Sequence, residues 1–501
     1  MKTGFKNLRE FVEKLELDGE LVRIKTLVDP ILEITEITDR VSKMPGGGKA
    51  LLFENVKGSK APVLINAFGS FKRMALSMGG DNIEVASERI SALLAMPAGG
   101  GSATHFGGKD MLKSIGEHMS KLGQLMDLSK VPPKHVSQAP CQEVVLTGDA
   151  IKLSDLPILK CWPHDGGRFI TFPLVFTKDP ETGERNVGMY RMHVYDDRST
   201  GMHWQTQKDG AIHAQKAKRL GKKLDVAVVI GADPATVFSA VVPLPFGLDE
   251  LLFSGFVRGA GVELVKCQTV DLEVPAQSEY VLEGTVDPNE LRDEGPFGDH
   301  TGVYTPIEQF PVFRIKCLTH RKNSIYHTTI VGKPPMEDYY MGKAIERTFL
   351  PILKKQIPEL VEMNFPMEGT FNNAVIVSID KAYPFQARKV AHAIFGLGQL
   401  SFTKFVIVVD KAVNVQDLSA VALAVFNNID PKRDMSFVEG PVDTLNHAAP
   451  IRDFGSKVCV DATAKLKEEG YTRVWPEEIE MDATTKKNVD GMWKELGIEK
   501  T

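Results

Sequence analysis

The feature that most constrains this chain lies in its middle third, where the apolar pattern changes period. From Glu143 to about Ile330 it breaks into short β-branched runs at 174–177, 187–195, 226–230, 263–267, 280–286, 312–317 and 324–330, separated by turn residues. Helices need longer amphipathic stretches than these. Many short strands punctuated by turn signals predict a barrel or split barrel. The flanks read differently. Residues 8–17 carry Leu8, Phe11, Val12 and Leu15 at helical spacing and stop at Asp18-Gly19. A strand at 21–24, a helix over 30–43, strands at 51–56 and 63–67, and helices over 82–96 and 109–128 follow, the last two flanking the Pro-Gly-rich segment 97–102. Pro132-Pro133-Lys134 then marks a boundary. Beyond Lys333, strands at 374–379 and 405–409 alternate with helices over 385–397 and 415–428, an α/β layer. The tail, 475–501, is predicted to be helical and exposed, docked on a neighbouring subunit. The predicted organisation is therefore an N-terminal α/β domain (1–128), a central β domain (129–332) and a C-terminal α/β domain with a helical tail (333–501).

Composition excludes several classes. Lys+Arg number 60 against Asp+Glu 65 in 501 residues, a net charge of −5. A nucleic-acid binder would need a basic face to neutralise phosphates. No apolar run reaches the ~18 residues of a membrane span, and the N-terminus lacks a signal-peptide core. The cysteines Cys141, Cys161, Cys267, Cys317 and Cys459 are scattered, without CxxC spacing, so a reducing cytoplasm is expected. Two glycine-rich segments invite nucleotide readings and fail them. Pro45-Gly46-Gly47-Gly48-Lys49 is followed by Ala50 rather than Ser or Thr, and Gly396-Leu397-Gly398 closes a helix instead of opening one.

Chemistry concentrates in the central region. Asn186-Val187-Gly188-Met189-Tyr190-Arg191 places an amide and a guanidinium five positions apart, on opposite faces of an unbroken strand. Either a bulge re-aims one of them or they serve two sides of one site. A turn at 197–201 leads into residues 203–210, read as the pairing strand, which would display His203, Trp204 and Lys208 near Arg191. The loop Glu294-Gly295-Pro296-Phe297-Gly298-Asp299-His300-Thr301-Gly302 carries two carboxylates on an irregular path. Converged at ~4 Å in an effective dielectric of 20, they would repel by about 4 kcal/mol, about three pKa units. One would then keep a proton near neutrality unless a cation such as Arg191 intervened, as a proton-delivery site requires. Glu250, entering an apolar helical run, is either a first-turn acid favoured by the helix dipole or, with Asn186, part of an oxygen-rich hard-cation site.

These segments resemble the UbiD family of decarboxylases, and the bacterial 3-polyprenyl-4-hydroxybenzoate decarboxylases within it. So do Gly231-Ala232-Asp233-Pro234-Ala235-Thr236, Leu272-Glu273-Val274-Pro275-Ala276 and Thr403-Lys404-Phe405-Val406-Ile407-Val408, in the same order along nearly the whole chain. The resemblance implies a flavin-reductase-like split β-barrel and a C-terminal oligomerisation domain. It implies prenylated FMN, held by its phosphate through a divalent metal, usually manganese, with potassium nearby. Asn186 and Glu250 match the metal ligands. Met189, Tyr190, Arg191, His203, Trp204, Gln205, Lys208 and Asp209 match the cofactor contacts, and Glu294, Arg191 and Asp299 the catalytic acid–arginine–acid set. Many relatives have a histidine ligand where this chain has Gln207, which leaves Gln207 or His203 as the third. The implied partners are an aromatic acid, a flavin prenyltransferase that makes the cofactor, and identical subunits, as hexamer or dimer. The expected reaction is loss of CO₂ from a 3-polyprenyl-4-hydroxybenzoate in quinone biosynthesis, or from another aromatic or α,β-unsaturated acid. The lipid tail of the former predicts peripheral contact with the inner membrane. A flavin reductase and a non-catalytic scaffold are the alternatives from other classes; the carboxylate–arginine set disfavours both.

Overall fold

Leu224–Ile230, with sequence LDVAVVI, is apolar at nearly every position, the pattern of a strand buried on both faces. In the computed structural model, which describes residues 4–94, 129–244, 247–371, 373–477 and 479–498, it lies inside a nine-stranded sheet. Val226, Val228 and Ile230 point into one hydrophobic core, Ala227 and Val229 into another. The helix expected at 109–128 and the Pro-Gly segment 97–102 lie outside the described residues.

The sheet runs Phe169–Ile170, Met192–Asp196, Ser199–Gly201, Glu308–His320, Tyr280–Glu294, Leu224–Ile230, Leu174–Lys178, Arg185–Met189, with Val144–Thr147 added along Glu308–His320. Arg185–Met189 forms one edge. Only Tyr190 and Arg191 separate it in sequence from Met192–Asp196, which lies one strand from the opposite edge. Two residues therefore bridge the two ends of the sheet, and the sheet is curled. The single strand expected over 187–195 is really two, so the face argument for Asn186 and Arg191 does not apply. The runs at 280–286 and 312–317 extend into a long antiparallel pair with register shifts at Glu283/Gly284 and Asp287/Leu291. A Cβ at Gly284 would sit 1.9 Å from the Arg314 carbonyl oxygen, which explains a glycine at the first shift.

The flanking layers follow the sequence closely. Helix Leu8–Leu17 buries Leu8, Phe11, Val12 and Leu15, capped by the Asn7 side chain accepting from the Glu10 N–H. Strands Leu21–Ile24, Ala50–Phe53 and Val63–Ile65 form a sheet whose fourth member is Tyr326–His327, parallel to Val63–Leu64. The run at 324–330 thus belongs to the N-terminal sheet and not to the curled one. The C-terminal sheet orders Leu360–Asn364, Ala374–Ile379, Phe405–Asp410, Phe454–Asp461 and Met435–Pro441. Helix Glu337–Gln356 packs on the N-terminal helices Phe71–Ser77 and Val85–Leu94 and on Leu360–Asn364, so it joins the two α/β layers. The tail is helical over Ala483–Met492 and buries no residue. Among the described residues no helix is long and apolar enough to cross a membrane.

Phe313 is fully buried in the curled sheet. Phe313→Ala should cost about 3–5 kcal/mol in urea unfolding followed by tryptophan fluorescence. Leu17→Ala, at a position 84% exposed, should stay within about 0.5 kcal/mol.

Candidate active site

The curled sheet brings three chain segments to one point. Glu294 is the last residue of Tyr280–Glu294 and has no exposed surface. Gly295 turns the chain with φ of +98°, a conformation that favours glycine. Phe297–Gly298 then pairs with Tyr304–Thr305, and Asp299 opens the connecting turn, its N–H donating to the Val303 carbonyl at 3.1 Å. Asp165 fixes this ribbon: its carboxylate accepts from the Gly298 N–H and the Trp162 N–H, both at 2.8 Å. A Cβ at Gly298 would meet the Trp162 ring at 2.3 Å, so the ribbon seats only with glycine there.

Arg191, on the bridge between the sheet ends, reaches both acids. Its Nε and Nη2 donate to the two Glu294 oxygens at 2.8 and 3.1 Å, and its Nη1 to Asp299 Oδ2 at 2.5 Å. Nη2 also donates to Thr305 Oγ1 at 3.1 Å, and the guanidinium lies 4.6 Å from the centre of the Phe297 ring. These bonds occupy four of its five N–H groups, leaving one on Nη1. Burial works against the Glu294 charge, but hydrogen bonds from His203 and Arg191 and the Arg191 charge hold its pKa at about 2. Asp299 is also held below the usual range. Burial opposes its charge, and the bond and charge of His300 together with the Arg191 charge prevail. The proton expected on one of the two acids is thus displaced by two cations: Arg191, foreseen from the sequence, and His300, which was not.

His203 donates through Nδ1 to Glu294 Oε2 at 3.2 Å, and its ring packs at a tilt against Phe310 at 4.3 Å, so this nitrogen belongs to the acid–arginine cluster. The predicted strand at 203–210 is not formed. Ser199–Gly201 pairs with Met192–Asp196 instead, residues 203–208 are irregular, and Lys208 is the N-cap of helix Asp209–Arg219. The Met202 N–H still donates to the Pro311 carbonyl at 2.9 Å and the His203 N–H to the Arg191 carbonyl at 3.3 Å, after which the chain leaves the ladder. No hydrogen bond or ion pair joins Lys208 to Arg191 among the described residues; its nearest acidic influences are Asp443 and Asp209, and burial pushes its ammonium pKa down.

Around this point buried donors lack partners. Asn186 Nδ2 and Trp204 Nε1 have none among the described residues, and the acceptor nitrogen His203 Nε2 is also unpartnered. Trp204 meets Tyr190 edge-on at 6.4 Å, and the Gly210 N–H at the start of the helix lies 3.4 Å from the Tyr190 hydroxyl. Unsatisfied buried donors, a partly desolvated lysine and a helix N-terminus without a side-chain cap fit an oxygen-rich anionic ligand. Glu250 accepts from the Val187 N–H at 3.0 Å beside Asn186. Burial, with the charges of Asp249 and Asp209, raises its carboxyl to about 7, which a cation would relieve. Among the described residues no cluster of three His, Cys, Asp or Glu could hold a metal by itself. A cation at Asn186 and Glu250 would therefore complete its shell from elsewhere. Gln207 Nε2 donates to Gln205 Oε1 at 3.4 Å, and Met189 packs at the edge of the core.

With this geometry the comparisons agree. Residues 12–93, 134–334 and 339–462 match the N-terminal, Rift-related and C-terminal domains of the 3-octaprenyl-4-hydroxybenzoate carboxy-lyases, UbiD. The chain belongs to the UbiD family and is a carboxy-lyase of that aromatic-acid class. It is 51% identical over 496 residues to an uncharacterized protein of Aquifex aeolicus, covering 99% of each chain. It is 52% identical to one of Archaeoglobus fulgidus, covering 98% of this chain and 99% of that protein. Among solved structures it resembles the closed form of Sedimentibacter hydroxybenzoicus vanillic acid decarboxylase, with 30% identity, TM-score 0.83 and 99% of both chains covered. It also resembles the UbiD-class enzyme HmfF from Pelotomaculum thermopropionicum in complex with FMN, with 28% identity, TM-score 0.78, and 96% of this chain and 98% of that one covered.

Both carboxylates have depressed pKa values in the folded state, so their stabilisation is present above the unfolded values and is lost as pH falls through the folded ones. Arg191→Leu leaves the buried Glu294 charge without a cation and Asp299 with His300 alone, and should cost about 3–5 kcal/mol at pH 7. The difference from the wild type should shrink below about pH 4, where the acids take up protons; thermal melts across pH 3–7 measure it.

Proposed function

We propose that this enzyme releases CO₂ from a 3-polyprenyl-4-hydroxybenzoate to give the 2-polyprenylphenol of quinone biosynthesis, with prenylated FMN as cofactor. The observation that supports it most is the Arg191–Glu294–Asp299 cluster beside the orphaned donors of Asn186 and Trp204. In this reading the curled sheet is a flavin-reductase-like split β-barrel. Lys208 and the start of helix Asp209–Arg219 would hold the cofactor phosphate, and Met189, Tyr190, His203, Trp204, Gln205 and Asp209 would line its site. Asn186 and Glu250 would hold a divalent metal, manganese in this reading, that neutralises the phosphate charge, with potassium as a further cation. His203 is engaged with Glu294 through Nδ1, which favours Gln207 or water as the further ligand.

Loss of CO₂ from an aryl acid leaves an electron pair in the ring plane, where resonance cannot stabilise it; the cofactor, when bound, supplies the electron sink. The protein supplies position and protons. The remaining Nη1 N–H of Arg191 can take the substrate carboxylate, Glu294 locks the guanidinium plane by a two-point bond, and Asp299 stands where a proton must be delivered. The three domains, 1–128, 129–332 and 333–501, act as scaffold, cofactor domain and oligomerisation domain of a hexamer or dimer. A flavin prenyltransferase supplies the cofactor. The protein works in the cytoplasm, touching the inner membrane where a prenylated substrate resides.

A second reading, decarboxylation or carboxylation of a smaller aromatic or α,β-unsaturated acid, has support in the close structural match to a vanillic acid decarboxylase. CO₂ release from a panel of acids by protein co-expressed with the prenyltransferase separates the two. The prenylated hydroxybenzoate should react fastest and vanillate slowly; the reverse order selects the second reading. Asp299→Asn should bind the cofactor, seen in its absorption spectrum, and lose about 10²–10⁴-fold in turnover. An unaltered rate would remove Asp299 from the reaction.

A further inference from the structure

Asp299 has a second partner that the reaction scheme leaves unused. Its Oδ1 accepts the His300 backbone N–H at 2.8 Å and faces His300 Nδ1 at 3.1 Å, while Oδ2 faces Arg191. The two oxygens of one carboxylate are thus split between a guanidinium that never gives up its proton and an imidazole that can. The His300 ring lies edge-on to Phe371 at 5.3 Å and is partly open, with its side chain 20% exposed. The ring lines a cavity of about 20 Å³ shared with Asp338, Tyr339, Lys343 and Phe371, which leaves room for one water molecule. Asp338 stands at the start of helix Glu337–Gln356, the helix that joins the two α/β layers.

The geometry points to His300 as the proton store of Asp299: the proton that replaces CO₂ rests on the imidazole and passes through the carboxylate to the substrate. In the transfer the Nδ1–H bond breaks and an O–H bond forms at Oδ1, turning imidazolium and carboxylate into neutral imidazole and carboxylic acid. The acid then yields its proton to the carbon that has lost CO₂, where the electron pair of the broken C–C bond becomes the C–H bond. His300 recovers its proton from solvent, so the net reaction consumes one proton per CO₂. His300 acts through Asp299 and is a positioning and proton-holding residue.

The surrounding charges favour this allocation. Burial opposes the imidazolium, but the hydrogen bond and charge of Asp299, with the charges of Asp338 and Asp443, raise its pKa to about 9. Asp338 itself is pushed up to about 6 by burial, with the His300 charge opposing. Arg191 acts on the same pair only through Asp299, since no contact joins it to His300 among the described residues. A raised pKa means that His300 is charged throughout the neutral range and empties only as pH rises through the folded value.

This role rests on the decarboxylase reading, but its first test does not. Protein labelled at histidine Cε1, without cofactor or substrate, is titrated by NMR, with the His300→Gln spectrum identifying the resonance among 12 histidines. His300 should titrate above pH 8 in the wild type and fall by more than one unit in Asp299→Asn. An ordinary value near 6.5, or no change in Asp299→Asn, overturns the proposal. In the cofactor-loaded enzyme, His300→Gln should lower kcat by about 10²-fold with little change in KM. It should also abolish the alkaline fall of kcat that the wild type shows. Wild-type kcat across the pH range in His300→Gln equally overturns the proposal. Absence of CO₂ from every acid with wild-type protein would instead fail the decarboxylase reading, whatever His300 titrates to.

Discussion

One guanidinium shared by two buried carboxylates sets the terms for the rest of this structure. Two carboxylates brought together in a protein interior would repel by several kcal/mol, and one would be forced to hold a proton. Arg191 removes that penalty by giving Glu294 a two-point bond and Asp299 a single one. The cost moves to the arginine, whose side chain is only 9% exposed and whose buried charge the two acids compensate. None of the three could be buried alone. Their burial together requires a fold that delivers all three to within hydrogen-bond range, which is a strong constraint on the backbone.

The curled sheet meets that constraint by its connectivity. The chain crosses from one end of the sheet to the other in two residues, and the second of them is Arg191. A residue on such a crossing is fixed by both edges at once, more tightly than one within a loop. Glu294 gains its position from the longest strand and Asp299 from a ribbon held by Asp165 and by glycine at 298. The cluster is therefore held from the sheet side and from the ribbon side alike. That ribbon, through His300, faces the helix that begins at Glu337.

What the sequence revealed follows the range of the forces involved. Helix Leu8–Leu17 was legible from the helical spacing of its buried residues, and strands Leu21–Ile24 and Ala374–Ile379 as short apolar runs bounded by turn residues. The helix Phe71–Ser77 escaped notice because its burial falls on Arg73, Met74, Ala75 and Ser77, a mixed set in which Arg73 is neutralised by Glu20 and the Gly48 carbonyl. The lengths of Tyr280–Glu294 and Glu308–His320 were underestimated because their outer halves are polar, and the membership of Tyr326–His327 in the N-terminal sheet depends on a partner some 260 residues away. At the site, Arg191, Glu294 and Asp299 stood out as charges within strand-like or glycine-rich sequence. His300, Thr305, Phe297 and Asp165 did not. The sole signal for His300 was its place next to Asp299 in an irregular turn, and Asp165 gave none, because its role lies in backbone bonds across 133 positions.

The convergence of His203 and His300 on the two acids shows why paired carboxylates need unequal surroundings. Each acid meets one imidazole, but burial and the Arg191 charge lower the pKa of His203, whereas Asp299, Asp338 and Asp443 raise that of His300. His203 therefore serves Glu294 as a neutral partner, and its hydrogen bond helps to keep that acid an anion dedicated to orienting Arg191. His300 serves Asp299 as a cation, and a cation beside a carboxylate is a proton kept at short range without neutralising the acid that must move it. The asymmetry comes from which elements pack behind each ring: an aromatic side chain, Phe310, behind His203, and a half-open cavity with an acidic helix start behind His300. Two residues of the same type thus acquire opposite duties from their second neighbours. That division of labour lets a single arginine serve a holding acid and a delivering acid at once.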